Sequence, residues 1–467
     1  MRAKEYRDLD ATSLARLIKR GDVSPTEVTE AALVQLNSLE PSLNAFDSVD
    51  ADGALRAAQQ ALWDLRAGRN VGPLHGVPIS IKDLIDVRGL PARYGSLTLK
   101  DNVALADAPS VHRIRSAGAI IIGKTTTSEF GARGYTWSRL NGATRNPWAL
   151  ARSPGGSSGG AAASVAAGVT PFALGTDGGG SIRAPAALTG LFGIKATFGR
   201  VPVWPASATP MLSHVGPLAR TLDDARLLLE VISGSDPRDQ FSFLPSVDWQ
   251  SDHEDLQELR VAFAPTMGYG RVDAPVASVV EAAVAALRAI FSNTELITTV
   301  CDEAAEIFAT EFMAGCAARL GTFKHSSDGL DPVFRAGVEH FQANSAQQVA
   351  EALRRRYQIK DQLAALFEKY DLLITPTVPC VSWGIERGVP TGHEEAIAWS
   401  YFTYPFNLTG QPAGTLPCGL ADGLPVGLQI VAPLCREDRL LKAMAAAAAV
   451  VSNDFGVSVE LRASPAC

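Results

Sequence analysis

Apolar residues first recur at helical spacing. Ser24-Pro25-Thr26-Glu27 reads as a capping box with proline at the first helical position, and Ala31, Leu33, Val34, Leu36 and Leu39 follow it. A second Ala-rich amphipathic pattern runs from Ala51 to Arg69 and stops near Gly68. Residues 1–70 therefore read as a helical layer, suited either to cover a core or to form a homodimer surface. At about residue 76 the pattern changes. Gly76-Val77-Pro78-Ile79-Ser80-Ile81-Lys82-Asp83 reads as a short buried strand with one lysine inside an apolar run. Ser110 to Ala117 suits a helix, Ala119 to Ile122 a strand, Ala161 to Ala167 a helix of tiny residues, and Val169 to Thr176 a strand. Helix and strand alternate up to about residue 200, which predicts an α/β layer with its working loops at strand ends.

The pattern continues to the C-terminus. Thr221 to Ile232 is another amphipathic helix, and 234–257 is the most linker-like stretch. Leu259 to Ala264 restarts a strand, 273–370 reads as mostly helical, and Tyr370 to Pro376 reads as a strand ending at proline. Asp422-Gly423 marks a hairpin inside 414–432, and Arg436 to Val450 is a last helix. The chain thus divides into a helical layer (1–70), an α/β core (71–233) and a C-terminal part (234–467) whose strands complete the same sheet.

Composition narrows the function. A hydrophobic content of 46% with 19% charged residues fits a folded globular enzyme rather than a disordered chain. A net charge of −7 offers no footprint for nucleic acid or an anionic membrane, and the apolar run 443–451 is too short to span a bilayer. No secretory signal is visible at the N-terminus, and the cysteines (Cys301, Cys316, Cys380, Cys418, Cys435, Cys467) lack metal-ligand spacing. A cytoplasmic protein without a metal, a cofactor or a disulfide framework is expected.

The candidate chemistry concentrates in 153–199. Ser153-Pro-Gly-Gly-Ser157-Ser158-Gly-Gly and Gly175-Thr-Asp-Gly178-Gly179-Gly180-Ser181-Ile-Arg183 bracket an alanine run, and backbone N–H groups clustered around a serine suit an oxyanion. The letters of a phosphate-binding loop at Gly118 to Thr125 enclose three consecutive isoleucines, which belong in a strand ladder rather than a phosphate cradle. The histidines (His75, His112, His214, His253, His325, His340, His393) form no metal-binding or nucleophile-elbow motif. A serine nucleophile then needs another base, and a neutral lysine can serve. Lowering lysine from roughly 10.4 to about 7–8 requires about 4 kcal/mol of desolvation, which an apolar strand can supply. Lys82 is the natural candidate, with Lys124 and Lys195 as competitors beside turns.

Three blocks, Gly76 to Asp83, Pro154 to Gly160 and Gly175 to Pro185, resemble the amidase signature family. The resemblance continues through Gly193-Ile194-Lys195, Phe198 to Val201, Gly216-Pro217, Asp371 to Leu373 and Gly423 to Gln429, and covers about residues 10 to 450. It implies a single large α/β domain with a mixed β-sheet covered by helices on both faces. It also implies a Ser–cis-Ser–Lys triad, with Ser181 as nucleophile, Ser157 as the bridging serine and Lys82 as base. Gly178, Gly179, Gly180 and the Ser181 amide would hold the oxyanion. Ser158 is expected to cap the following helix, Asp177 to accept hydrogen bonds in a turn, and Arg183 to organise the site. The implied reaction is hydrolysis of a small-molecule amide, or a related ester, hydrazide or carbamate. The alternatives are a glutamine-hydrolysing component of a tRNA-dependent amidotransferase and a non-catalytic scaffold. Met211, Phe312, Met313, Trp399, Tyr401, Phe402, Tyr404 and Phe406 are the candidate pocket residues.

Overall fold

The computed structural model describes residues 1–69, 71–249, 255–322, 329–394 and 397–451. Its N-terminal layer is α1 (Ala3–Asp8), α2 (Ala11–Arg20), α3 (Pro25–Leu43), β1 (Phe46–Val49) and α4 (Ala51–Arg66). The capping box closes in both directions: Glu27 N donates to Ser24 Oγ at 3.1 Å, and Ser24 N donates to Glu27 Oε2 at 2.9 Å. The layer is not all helical. Four residues, too few to show a period, make β1, which pairs antiparallel with a strand of the next segment.

The next segment holds β2 (Pro78–Lys82), α5 (Pro109–Ser116), β3 (Ile120–Thr125) and a small hairpin, β4 (Trp137–Ser138) and β5 (Gly142–Ala143). It continues with α6 (Gly159–Ala166), β6 (Phe172–Asp177), α7 (Arg183–Thr189), β7 (Phe192–Lys195), β8 (His214–Ala219) and α8 (Leu222–Ile232). Then follow β9 (Arg260–Phe263), α9 (Ala274–Leu287), β10 (Asn293–Leu296), α10 (Ala305–Leu320), α11 (Pro332–Gln342) and α12 (Ala346–Lys369). The chain closes with β11 (Leu372–Pro376), α13 (Pro405–Thr409), β12 (Ala413–Ala421), β13 (Leu424–Val431) and α14 (Glu437–Val451).

One mixed sheet of 11 strands organises the molecule, in the order β1-β3-β2-β6-β8-β7-β12-β13-β11-β9-β10. Both faces are covered, so its central strands read as continuous apolar runs rather than alternating ones. Ile121 joins the core beneath α2, α3, α5 and α8, whereas Ile120 and Ile122 face α4. Leu372 and Ile374 point into the first core, and Leu373 into a second beneath α10, α12 and α13. The isoleucines at 120–122 are therefore strand residues, and the phosphate-loop lettering carries no loop. Asp422 (φ 52°) and Gly423 (φ 74°) make the tight β12–β13 turn, and both need a left-handed backbone.

The segment 234–249 has neither helix nor strand, yet it is anchored rather than linker-like. Its buried Asp239 accepts from Val203 N at 2.8 Å, and Gly234 N donates to Arg200 O at 3.1 Å. Residues 250–254, with His253, lie outside the described residues, as do His325 and Cys467. The five described cysteines are all free thiols. Among the described residues no helix is long and apolar enough to cross a membrane, and no group of His, Cys, Asp or Glu is placed to hold a metal ion.

Candidate active site

Period-two alternation on β2 aims the lysine. Ile79 and Ile81 enter the core on one face, while Ser80 and Lys82 face the opposite side, where Ser80 Oγ meets Thr170 Oγ1 at 3.1 Å. β2 runs parallel to β6 with Ile81 opposite Leu174, so Lys82 and Thr176 emerge side by side at the C-terminal ends of parallel strands. The serine pair arrives from the turn before α6. Gly155 has φ 78°, and a Cβ on Gly156 would lie 2.7 Å from the Tyr135 carbonyl carbon, so glycine alone lets the turn pack there. The Gly156–Ser157 peptide bond is cis.

These placements put the Lys82 Nζ 2.8 Å from each of three hydroxyls, those of Ser157, Ser158 and Thr176. Lys82 is fully buried, and desolvation holds its pKa well below the usual lysine value despite the fields of Asp177 and Asp83. A neutral amine has two N–H donors and one lone pair. Ser158 uses its own proton on Thr176 O at 3.1 Å, so it accepts from Lys82. In the neutral form of Lys82 the lone pair is then left for the proton of Ser157 or of Thr176. Ser158 thus departs from its expected role: it begins α6 without a side-chain cap and instead fixes the lysine. Thr136 does the capping, accepting from Gly159 N at 2.9 Å.

Ser181 reaches the same cavity wall as Ser157, Thr176 and Gly178, at 6% exposure. Among the described residues its hydroxyl makes no hydrogen bond to Ser157. The Gly178, Gly179 and Ser181 amides likewise have no acceptor among the described residues. Gly180 corrects the expectation. Its N–H donates to Asp177 Oδ1 at 2.7 Å, so in this structure that donor closes the turn instead of facing the cavity.

A buried ion pair holds this turn. Arg183 places Nε 3.0 Å from Asp177 Oδ2 and Nη2 2.9 Å from Oδ1, with both side chains fully buried. Its remaining donors reach Thr403 O (3.0 Å), Gln429 Oε1 (2.9 Å) and Asn407 Oδ1 (2.6 Å), so all five N–H groups are used. Burial pushes the Asp177 carboxyl up, but the charge and hydrogen bonds of Arg183, with Lys195 and Asn407, hold it far below the usual range.

The competing lysines are committed elsewhere. Lys124 Nζ donates to Pro91 O at 2.8 Å and lies 3.7 Å from Asp83, whose carboxyl burial raises to about 6. Lys195 Nζ donates to Gln411 O at 2.5 Å and faces His214 Nε2 at 3.5 Å. His214 borders the cavity, a position no motif announced, and its Nδ1 faces Leu212 O at 2.9 Å. Burial, then Lys195, pushes its pKa well below the ordinary histidine value.

The pocket aromatics also differ from expectation. Phe312 does line the cavity, but Tyr401, Phe402, Tyr404 and Phe406 are core residues. Trp399 packs in another cluster, over Gly134; Met313 packs beside α11, and Met211 borders a separate surface groove. Tyr94, Phe130 and Trp204 line the cavity instead. Tyr94 and Trp204 come from loops and Phe130 from a single 3-10 turn, and none of these shows a period.

Comparison with known proteins agrees with this architecture. A profile of the Amidase family matches residues 27–441. The chain is 35% identical over 450 residues to an acylamidase of Rhodococcus erythropolis, covering 94% of each chain. It is 36% identical over 482 residues to a glutamyl-tRNA(Gln) amidotransferase subunit from Acidothermus cellulolyticus, covering 96% of this chain and 95% of that one. A solved bacterial aryl acylamidase of the amidase signature family superposes with a TM-score of 0.91 at 27% identity, over 98% of this chain and 99% of the other. Sheet, serine-rich turns and sequence similarity across nearly the whole chain agree, and this protein belongs to the amidase signature family.

Proposed function

We propose that the protein hydrolyses a small-molecule amide to an acid and an amine through a Ser181–Ser157–Lys82 triad and an acyl-enzyme. The observation that carries this reading is the fully buried Lys82 with its Nζ 2.8 Å from Ser157 Oγ, beside a cavity that Ser181 lines. Neutral Lys82 takes the Ser157 proton as Ser157 takes that of Ser181, and Ser181 Oγ forms its bond to the amide carbon. The Gly178, Gly179 and Ser181 amides hold the oxyanion. Ser157 returns the proton to the nitrogen, the C–N bond breaks, and the amine leaves. Water then attacks the Ser181 ester by the same relay and releases the acid. The chain's own groups supply every proton transfer in this scheme. A panel of aryl and alkyl amides assayed with wild type and Ser181→Ala tests the reading. Turnover by wild type alone supports it, and equal turnover by both proteins refutes it.

The 36% identity to an amidotransferase component favours a second reading, release of ammonia from glutamine for a partner acting on tRNA. The aromatic wall formed by Tyr94, Phe130 and Phe312 fits an apolar substrate better than glutamine. Glutamine turnover that exceeds turnover of every aryl amide would reverse that preference.

A further inference from the structure

We propose that Asp86 reads a hydrogen-bond donor at the far end of the substrate's amine half, so that preferred substrates are amides of apolar or aromatic amines carrying a distal amino or hydroxyl group. The inference rests on the amidase reading above, because the direction of proton return decides which wall faces the amine. Ser157 delivers that proton. A methyl group on Gly131 would lie 3.2 Å from Ser157 Oγ and 2.8 Å from Leu84 Cδ1, so Ser157 abuts the Gly131–Leu84 wall. That wall continues through Ile85, Asp86, Tyr94 and Phe130, with Phe130 N bonded to Tyr94 O at 2.8 Å. Gly178, on the oxyanion side, faces elsewhere: a methyl there would lie 3.3 Å from Phe312 and 3.6 Å from Thr209 Oγ1. The amine half therefore lies along the wall that contains Asp86.

Asp86 is the carboxylate of an otherwise apolar wall, and it is half-buried. Its Oδ1 accepts from Tyr94 Oη at 2.9 Å, and among the described residues Oδ2 accepts nothing. A half-buried carboxylate oxygen that accepts no hydrogen bond is costly until a donor reaches it, and the charges of Lys124 and Arg319 offset only part of the burial. Arg319 borders the same cavity. Ser207, Ser213 and Thr209 line it too, but their hydroxyls bond one another at 2.6 and 3.0 Å.

The test measures binding of three product-like amines by titration calorimetry: 4-(aminomethyl)aniline, 4-(hydroxymethyl)aniline and 4-ethylaniline. Wild type should bind at least one donor-bearing amine roughly 10-fold more tightly than the ethyl analogue, as a hydrogen bond to an ionised group implies. A preference confined to the aminomethyl compound assigns a cation, and one shared with the hydroxymethyl compound assigns a neutral donor as well. In Asp86→Asn the Tyr94 hydroxyl keeps Oδ1, so the amide NH₂ replaces Oδ2 and the preference should vanish or invert. Donor-bearing amines that bind wild type no better than 4-ethylaniline overturn the proposal, even if the variant does not fold. A preference that survives Asp86→Asn also overturns it. Hydrolysis of the three acetanilides is read separately. Donor preference in binding without any turnover sinks the amidase reading, whereas turnover without the preference sinks the role of Asp86.

Discussion

Replacing Arg183 by methionine removes five hydrogen bonds at once and leaves the fully buried Asp177 without its cation. Breaking a buried pair from one side costs about 3–5 kcal/mol, because the remaining charge is uncompensated. Gln429 Oε1 and Asn407 Oδ1 each lose their Arg183 donor, at about 1–3 kcal/mol for each acceptor left unsatisfied, whereas Thr403 O keeps Phe406 N at 3.2 Å. Asp177 keeps Gly180 N (2.7 Å), Ile182 N (3.2 Å) and Asn407 Nδ2 (2.9 Å), which limits the damage. The expected loss is about 4–6 kcal/mol, a large share of the roughly 5–15 kcal/mol that holds a typical domain folded. Urea unfolding followed by circular dichroism measures it. Asp177→Asn/Arg183→Met removes the stranded charge as well, so it should recover about 2 kcal/mol relative to the single variant.

The pH dependence has a definite sign. In wild type the Asp177 carboxyl is depressed, so its stabilisation is present above the unfolded value of roughly 3.9 and is lost as pH falls through the folded value. Without Arg183, burial dominates and raises that carboxyl, so the deficit of Arg183→Met should narrow as pH falls from 7 toward 4. A loss under about 1 kcal/mol, or a double variant no more stable than the single, would mean that the Asp177–Arg183 pair does not hold the turn.

Other outcomes follow from the same geometry. Lys82→Ala should lose at least about 10³-fold in kcat/KM, and the wild-type pH–rate profile should fall on its acid side as Lys82 gains a proton; a profile flat there argues against a neutral lysine base. Lys82→Met should flatten the rise of the urea midpoint as pH climbs toward about 10, because there the unfolded lysine binds a proton more readily than the folded one; an unchanged slope contradicts a lowered Lys82 pKa. Thr176→Val removes one of the three hydroxyls around Nζ and should cost roughly 10-fold in kcat with KM little changed, whereas a pure KM effect would mean that Thr176 contacts substrate. Gly180→Ala sets a Cβ 2.3 Å from Thr403 Oγ1 at a φ of 129° and should destabilise the protein by about 1–3 kcal/mol in urea; a neutral result would mean the turn relaxes easily.

Where side chains repeat with a period, or glycines mark a turn, the sequence was readable. The capping box at Ser24, the isoleucine strand at 120–122 and the Asp422-Gly423 turn all rest on local rules that tertiary packing did not override. β1 and β10 have four residues each and owe their state to neighbouring strands, so no local pattern announces them. The serines and Lys82 stood out through a resemblance and through an apolar strand holding one cation. Their mutual distances depend on β2 lying beside β6, which is a property of the sheet. Ser158 departs from the expected cap because its place along the chain is set by α6, whereas its hydroxyl is set by Lys82, which β2 brings to it. The pocket differs from expectation for a related reason. A cluster of aromatics at 399–406 has the composition of a cavity wall, but the sheet places most of it in a core, and isolated Tyr94, Phe130 and Trp204 line the cavity.

In the proposed reaction Ser181, activated through Ser157 and Lys82, forms a covalent bond to the substrate's acyl group. The most direct test treats the wild-type protein with a fluorophosphonate, whose phosphorus bonds to an activated serine oxygen as fluoride leaves, and maps the adduct by peptide mass spectrometry. The proposed mechanism predicts one adduct, on Ser181, absent in Ser181→Ala and formed far more slowly in Lys82→Ala. An adduct on Ser157 or Ser158 in the wild type, or labelling at an undiminished rate without Lys82, would contradict it.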